Sequence, residues 1–115
     1  MTIQRMQVGP LYSGVVVHGD TVYLAGKVAS DKNADIKTQT RQVLDAIDES
    51  LAAAGTDKSK LLTVTIWLKD MGQWPAMNEV YTAWVDQDNK PCRAAVEAAL
   101  AAPEYLVEMM CIAAK

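Results

Sequence analysis

Leu106-Val107-Glu108-Met109-Met110-Cys111-Ile112-Ala113, near the C-terminus, is the stretch from which the fold is best read. In an extended chain Val107, Met109 and Cys111 fall on one face and Leu106, Met110 and Ile112 on the other, so both faces are apolar apart from Glu108. A strand with water on one side alternates apolar with polar residues instead. One face therefore belongs in a core, and the other needs a cover. A chain of 115 residues, 12.5 kDa and formal charge −3 builds one core and has no spare element for the second face. Other copies of the same chain are the expected cover.

The remaining elements follow on working back from this strand. Ala101-Ala102-Pro103-Glu104 reads as a turn, and Arg93 to Leu100 as the strand before it, so the two strands form an expected hairpin. A helix is expected over Trp74 to Val85, with Pro75 in its first turn and Met77, Val80, Tyr81 and Trp84 as its apolar stripe. Leu61 to Leu68 alternates, with Leu62, Val64, Ile66 and Leu68 pointing one way and Thr63, Thr65 and Trp67 the other. Asp35 is positioned to cap a longer helix that stops at Gly55, and Ile36, Val43, Leu44, Ile47 and Leu51 form its buried stripe. Val15-Val16-Val17-His18 and Thr21-Val22-Tyr23-Leu24-Ala25 flank Gly19-Asp20 as a first hairpin. The order β-β-α-β-α-β-β over residues 1–115 implies one α+β domain, two helices on one face of a mainly antiparallel sheet.

Composition narrows the function. Half the residues are apolar and 22% charged, which excludes disordered and fibrous classes. No apolar run approaches the roughly 18 residues of a membrane span, and Met1-Thr2-Ile3-Gln4-Arg5 lacks the layout of a secretory signal, so a cytoplasmic location is expected. With 11 basic against 14 acidic residues and no basic cluster, nucleic acid is not an expected partner. Cys92 and Cys111 have no metal-ligand spacing, and the one histidine, His18, sits beside a turn with no GxSxG elbow in the chain, so neither a zinc site, a disulfide framework nor a serine nucleophile with His18 as its base is indicated. Cys92, next to Arg93, reads as a small apolar filler, with a thiol activated by the guanidinium as the alternative, and Cys111 as an inert core thiol.

Two charges interrupt the C-terminal pair of strands. Arg93 and Glu108 are compatible with a structural ion pair. They are also compatible with a site in which the guanidinium fork of Arg93 grips a carboxylate and Glu108 orients or deprotonates water. The pattern leaves both readings open.

Pro91-Cys92-Arg93-Ala94-Ala95-Val96-Glu97-Ala98-Ala99-Leu100, followed by Leu106-Val107-Glu108-Met109, resembles the C-terminal signature of the reactive intermediate deaminases, the RidA or YjgF family. Gly9-Pro10-Leu11-Tyr12-Ser13, Val22-Tyr23-Leu24-Ala25-Gly26, Gln39-Thr40-Arg41-Gln42-Val43-Leu44 and Met77-Asn78-Glu79-Val80-Tyr81 match the same family in order. The resemblance implies a chorismate-mutase-like fold and a homotrimer with sites between subunits. It also implies cofactor-free hydrolysis of 2-aminoacrylate and related 2-imino acids to 2-keto acids and ammonium. By position Arg93 holds the substrate carboxylate, Glu108 handles water, and Tyr12, Gly26 and Asn78 help form the pocket. A non-catalytic carboxylic-acid-binding, regulatory or chaperone-like protein of the same fold is the alternative. Ala25 stands where relatives often have Ser, Ala95 where they often have Cys or Thr, and Met110 where a second acid often follows the site Glu. Together with a short loop from Lys27 to Ala34, these departures are expected to alter the substrate range.

Overall fold

The computed structural model describes residues 1–115. Its elements run β1 (Ile3–Val8), β2 (Ser13–His18), β3 (Thr21–Leu24), β4 (Lys27–Val28), α1 (Ile36–Ala53), β5 (Leu61–Leu68), α2 (Trp74–Trp84), β6 (Cys92–Glu97) and β7 (Val107–Ala114). One sheet has the order β1-β2-β3-β7-β5-β6, and β4 pairs with β7 off this path. All pairings are antiparallel except β5 with β6. No helix is long and apolar enough to cross a membrane.

Local chemistry explains the boundaries. At the β2–β3 turn Gly19 has φ +62°, a left-handed conformation that glycine adopts without a Cβ penalty. The Asp35 side chain accepts from Thr38 N at 2.9 Å, which satisfies one of the free donors at the start of α1 and holds the Asp35 carboxyl below its usual range. Gly55 follows the C-terminus at φ +79°. Both helices pack on one sheet face: Val43, Leu44, Ile47 and Leu51 of α1, with Met77 and Tyr81 of α2, meet Val15, Val22, Val64, Ile66, Val107 and Met109. Each fully buried aliphatic side chain there contributes roughly 1.5–3 kcal/mol against the entropy of ordering.

Four expectations are corrected. Two strands are not expected from the sequence: β4, two residues within the Lys27 to Ala34 loop, and β1, which pairs with β2 as an edge strand exposed on most positions and so carries little apolar alternation. The segments 93–100 and 106–113 do not form a hairpin, because β5 lies between β6 and β7. The β5–α2–β6 unit is a crossover, the connection that parallel neighbours require. The chain then strides over the end of β5, with Ala98 N donating to Leu68 O at 2.8 Å on one flank and Lys69 N to Leu106 O at 3.0 Å on the other. β6 correspondingly ends at Glu97, short of Leu100. Finally, a register shift between Leu61 and Thr63 turns Leu61 inward and leaves Leu62 exposed.

The molecule is a slab of 43 × 37 × 20 Å with one sheet face bare. In β7 the alternation is as read: Val107, Met109, Cys111 and Ala113 are buried, while Met110 on the far face is 39% exposed. Tyr23 of β3 and Val96 of β6 are also exposed.

Gln39 ties the loops that lead into α1 and β7. It is fully buried, and its Nε2 lies 3.0 Å from each of the Lys32, Ala34 and Glu104 carbonyls, while its Oε1 accepts from Leu106 N at 2.9 Å. Gln39→Leu keeps the volume but removes the partner of the Leu106 N–H and of three carbonyls at once, so stability to urea is expected to fall by about 3 kcal/mol. A loss below about 0.5 kcal/mol would show that the loops re-satisfy themselves.

Candidate active site

Arg93 stands opposite Val64 in the parallel β5–β6 register, and Val64 faces the helices, so Arg93 turns to α2. There Trp74, Asn78 and Tyr81, spaced i, i+4 and i+7, share one stripe of the helix. Arg93 Nη1 donates to Asn78 Oδ1 at 2.7 Å. Its Cζ lies 4.9 Å from the Trp74 ring centroid and 4.7 Å from that of Tyr81, both within cation–π range. Burial raises the Tyr81 phenol pKa, and the positive charge of Arg93 opposes that shift. A cleft of about 430 Å³ opens beside the guanidinium, lined by Asn78, Tyr81, Thr82, Gln87 and Lys90 among others.

Glu108 belongs to the other face of the sheet. It is paired with Trp67 of β5 and Val28 of β4, between the inward-facing Val107 and Met109. Its carboxylate occupies the space beside Gly26: a Cβ there would sit 2.2 Å from Glu108 Oε2. Gly26 thus serves the carboxylate by lacking a side chain.

The structure therefore joins Asn78 to Arg93 and Gly26 to Glu108, but not the two pairs to each other. Two strand spacings and three residues of rise separate Arg93 from Glu108, about 14 Å between Cα atoms, with the side chains on opposite faces. Neither residue is ion-paired, since the chain's only salt bridges are Lys32–Glu104 and Lys37–Glu79. The structural ion pair that the sequence left open is absent. Tyr12 is apart from both pairs, 66% exposed on the loop between β1 and β2, where Gly9 N donates to Tyr12 O at 2.9 Å. The contacts of Trp74 and Tyr81 with Arg93 were not foreseen; a Trp-x3-Asn-x2-Tyr stripe facing a strand arginine is the sequence signal for them.

Other titratable groups stay outside these clusters. Burial lowers the pKa of Lys27, against the attraction of Glu49. Burial pushes the Cys111 thiol up to about 12. No group of three His, Cys, Asp or Glu side chains is placed to hold a metal ion.

Residues 2–115 match the family model described as endoribonuclease L-PSP. Over 112 residues, 97% of this chain and 96% of the relative, the chain is 41% identical to a RutC family protein of Haemophilus ducreyi. It is 40% identical over 114 residues, 99% of each chain, to the RutC family protein YoaB of Escherichia coli K12. Among solved structures, a member of the YjgF protein family from Neisseria meningitidis superposes with a TM-score of 0.97 at 40% identity, covering 100% of this chain and 96% of the other.

Cys111 gives a pH-dependent test of this geometry. Its folded pKa lies above the ordinary value of 9.0, so the stability linked to the neutral thiol is intact below about pH 9 and is lost as pH rises toward 12. Iodoacetamide at pH 8 is expected to leave Cys111 unlabelled until urea unfolds the chain, as read by peptide mass mapping. Labelling in the native state would place that thiol nearer solvent.

Proposed function

The chain belongs to the endoribonuclease L-PSP family, the group that includes the RutC and YjgF/RidA proteins, and from that premise we propose that it is a hydrolytic deaminase of reactive 2-imino acids. The observation that carries the reading is that Arg93 is held by Asn78, Trp74 and Tyr81 at a cleft, and Glu108 against Gly26, with neither charge neutralised by a partner in the chain. Arg93 binds the carboxylate of 2-iminopropanoate, the imine tautomer of 2-aminoacrylate, through two parallel hydrogen bonds. Glu108 takes a proton from water as its oxygen bonds to the imine carbon, and the former C=N electron pair passes to nitrogen with a proton. The resulting carbinolamine collapses to the 2-keto acid, and nitrogen leaves as ammonia, which is protonated to ammonium. Water and imino acid supply every atom of the products, and no cofactor enters.

Because one chain holds Arg93 and Glu108 on opposite faces, the reading requires a second copy. A homotrimer in which the bare face bearing Tyr23, Met110 and Glu108 packs against a neighbour's β6 edge completes the site and covers the apolar surface. The Tyr12 loop then borders the pocket. A cytoplasmic setting, where pyridoxal-phosphate enzymes release such imines, suits this role. The endoribonuclease description fits the chain less well: net charge −3 without a basic cluster gives RNA little to bind. One observation favours a second reading, a carboxylic-acid-binding regulatory protein: the surroundings of Arg93 are assembled without Glu108.

The deciding experiment couples a serine or threonine dehydratase to semicarbazide, which traps imines that escape hydrolysis. Wild type is expected to divert the imine; binding of pyruvate without diversion would establish the second reading instead. Glu108→Gln keeps size but not basicity and is expected to lower hydrolysis by roughly 10²-fold while pyruvate still binds. Gly26→Ala, which displaces the same carboxylate, is expected to follow it. Arg93→Lys is expected to cost about 10²-fold through misplacement, and full activity in that variant would remove Arg93 from the site. By light scattering, Met110→Asp is expected to dissociate the trimer, since it places an unpaired charge in the packed face.

A further inference from the structure

We propose that Trp74 and Tyr81 clamp the Arg93 guanidinium between their rings, so that the site accepts a planar carboxylate approaching edge-on and rejects tetrahedral oxyanions of the same charge. The proposal rests on the reading of Arg93 as carboxylate anchor. The Cζ lies over both rings, 4.9 Å from the Trp74 centroid and 4.7 Å from that of Tyr81, and the two side chains leave the helix seven residues, about 10.5 Å of rise, apart. The guanidinium therefore contacts both rings and is not stacked on one of them alone. Asn78, midway along the same stripe, accepts from Nη1 at 2.7 Å and stops rotation about the remaining axis.

The chemistry of the fork follows. A guanidinium has five N–H donors, all in its plane, and two apolar faces. With a ring against each face, as the clamp requires, and one donor held by Asn78, the free donors point outward along one edge. A carboxylate is planar and meets that edge with both oxygens in the guanidinium plane. A phosphonate carries substituents above and below the plane, where they meet the projecting edges of Trp74 or Tyr81. Trp74 and Tyr81 are thus positioning residues that act through Arg93. Tyr81 is buried in the core and Trp74 only partly so, which makes Trp74 the better residue to change.

The test compares two monoanions, pyruvate and methyl acetylphosphonate, by calorimetric titration of the wild type, Trp74→Leu and Trp74→Phe, with folding and assembly checked by circular dichroism and light scattering. Wild type is expected to prefer pyruvate by at least tenfold. Trp74→Leu is expected to weaken pyruvate by roughly two- to fivefold, because the fork is no longer held on that side, and to bring the two anions within about threefold of each other. Trp74→Phe is expected to restore the preference. General damage to the fold weakens both anions equally, so an unchanged ratio in folded Trp74→Leu overturns the clamp. Should Trp74→Leu fail to fold, the wild type alone decides through its NMR spectrum. The Arg93 side-chain protons are expected upfield of ordinary arginine positions because of the flanking rings, and ordinary positions overturn the proposal. The imine-trapping assay separates this outcome from failure of the function: a wild type that discriminates the anions but hydrolyses no imine keeps the clamp and loses the deaminase.

Discussion

The antiparallel pairing of β7 with β5 is the constraint on which the rest of this structure depends. β7 is also the strand against which β3 and β4 are laid, so its register fixes the positions of half the sheet. With Trp67 opposite Glu108 and Ile66 opposite Met109, the methionine enters the core and the carboxylate faces out. A slip of one residue exchanges them and buries a charge with no partner, at a cost far above that of an ordinary side-chain defect. The same register lays β4 beside Glu108 and brings the carboxylate against Gly26. The buried amide of Gln39 holds the entry to β7 by accepting from Leu106 N, two residues before the carboxylate. Hydrophobic alternation, strand pairing and one amide thus converge on the orientation of a single side chain.

How far the fold was legible depended on whether each signal was local. Asp35 and Gly55 bracket α1 in the structure as they do in the sequence, because a cap and a left-handed stop each act within one turn. The two apolar faces of β7 were legible because period-two alternation needs no knowledge of partners. Strand order was not legible: nothing in residues 93–113 records that β5, thirty residues earlier, inserts between β6 and β7, and short separation in sequence favoured a hairpin. Leu62 misled for a related reason, since a bulge is set by the partner strand. Of the candidate site, Arg93 with Asn78 and Gly26 with Glu108 came out as neighbours, whereas Tyr12 stands alone in the isolated chain. The rings around Arg93 escaped notice because Tyr81 also serves the core, and an apolar stripe conceals a second use of the same residue.

The separation of Arg93 from Glu108 has an electrostatic rationale. Placed within 4 Å of each other in a half-buried cleft, the two charges attract by about 4 kcal/mol at an effective dielectric near 20, and a substrate carboxylate has to displace that partner before it binds. Opposite sides of a sheet, about 14 Å apart, reduce the attraction to roughly 1 kcal/mol and leave each group free. A chain that keeps its cation and its carboxylate apart in this way avoids self-neutralisation.

The surroundings of Arg93 point the same way when its contribution to the fold is considered. The residue is exposed on an edge strand, pairs with no carboxylate, and makes one hydrogen bond and two ring contacts. An exposed cation–π contact stabilises by about 0.5–1 kcal/mol, and an ordinary hydrogen bond adds about 1 kcal/mol. An aliphatic side chain against Trp74 and Tyr81 gives comparable stabilisation by burying apolar area, without desolvating a charge. The stability of the chain therefore does not call for arginine at this position. What arginine alone provides there is a planar fork of donors held still at the edge of a cleft, and its value lies in what that fork can bind.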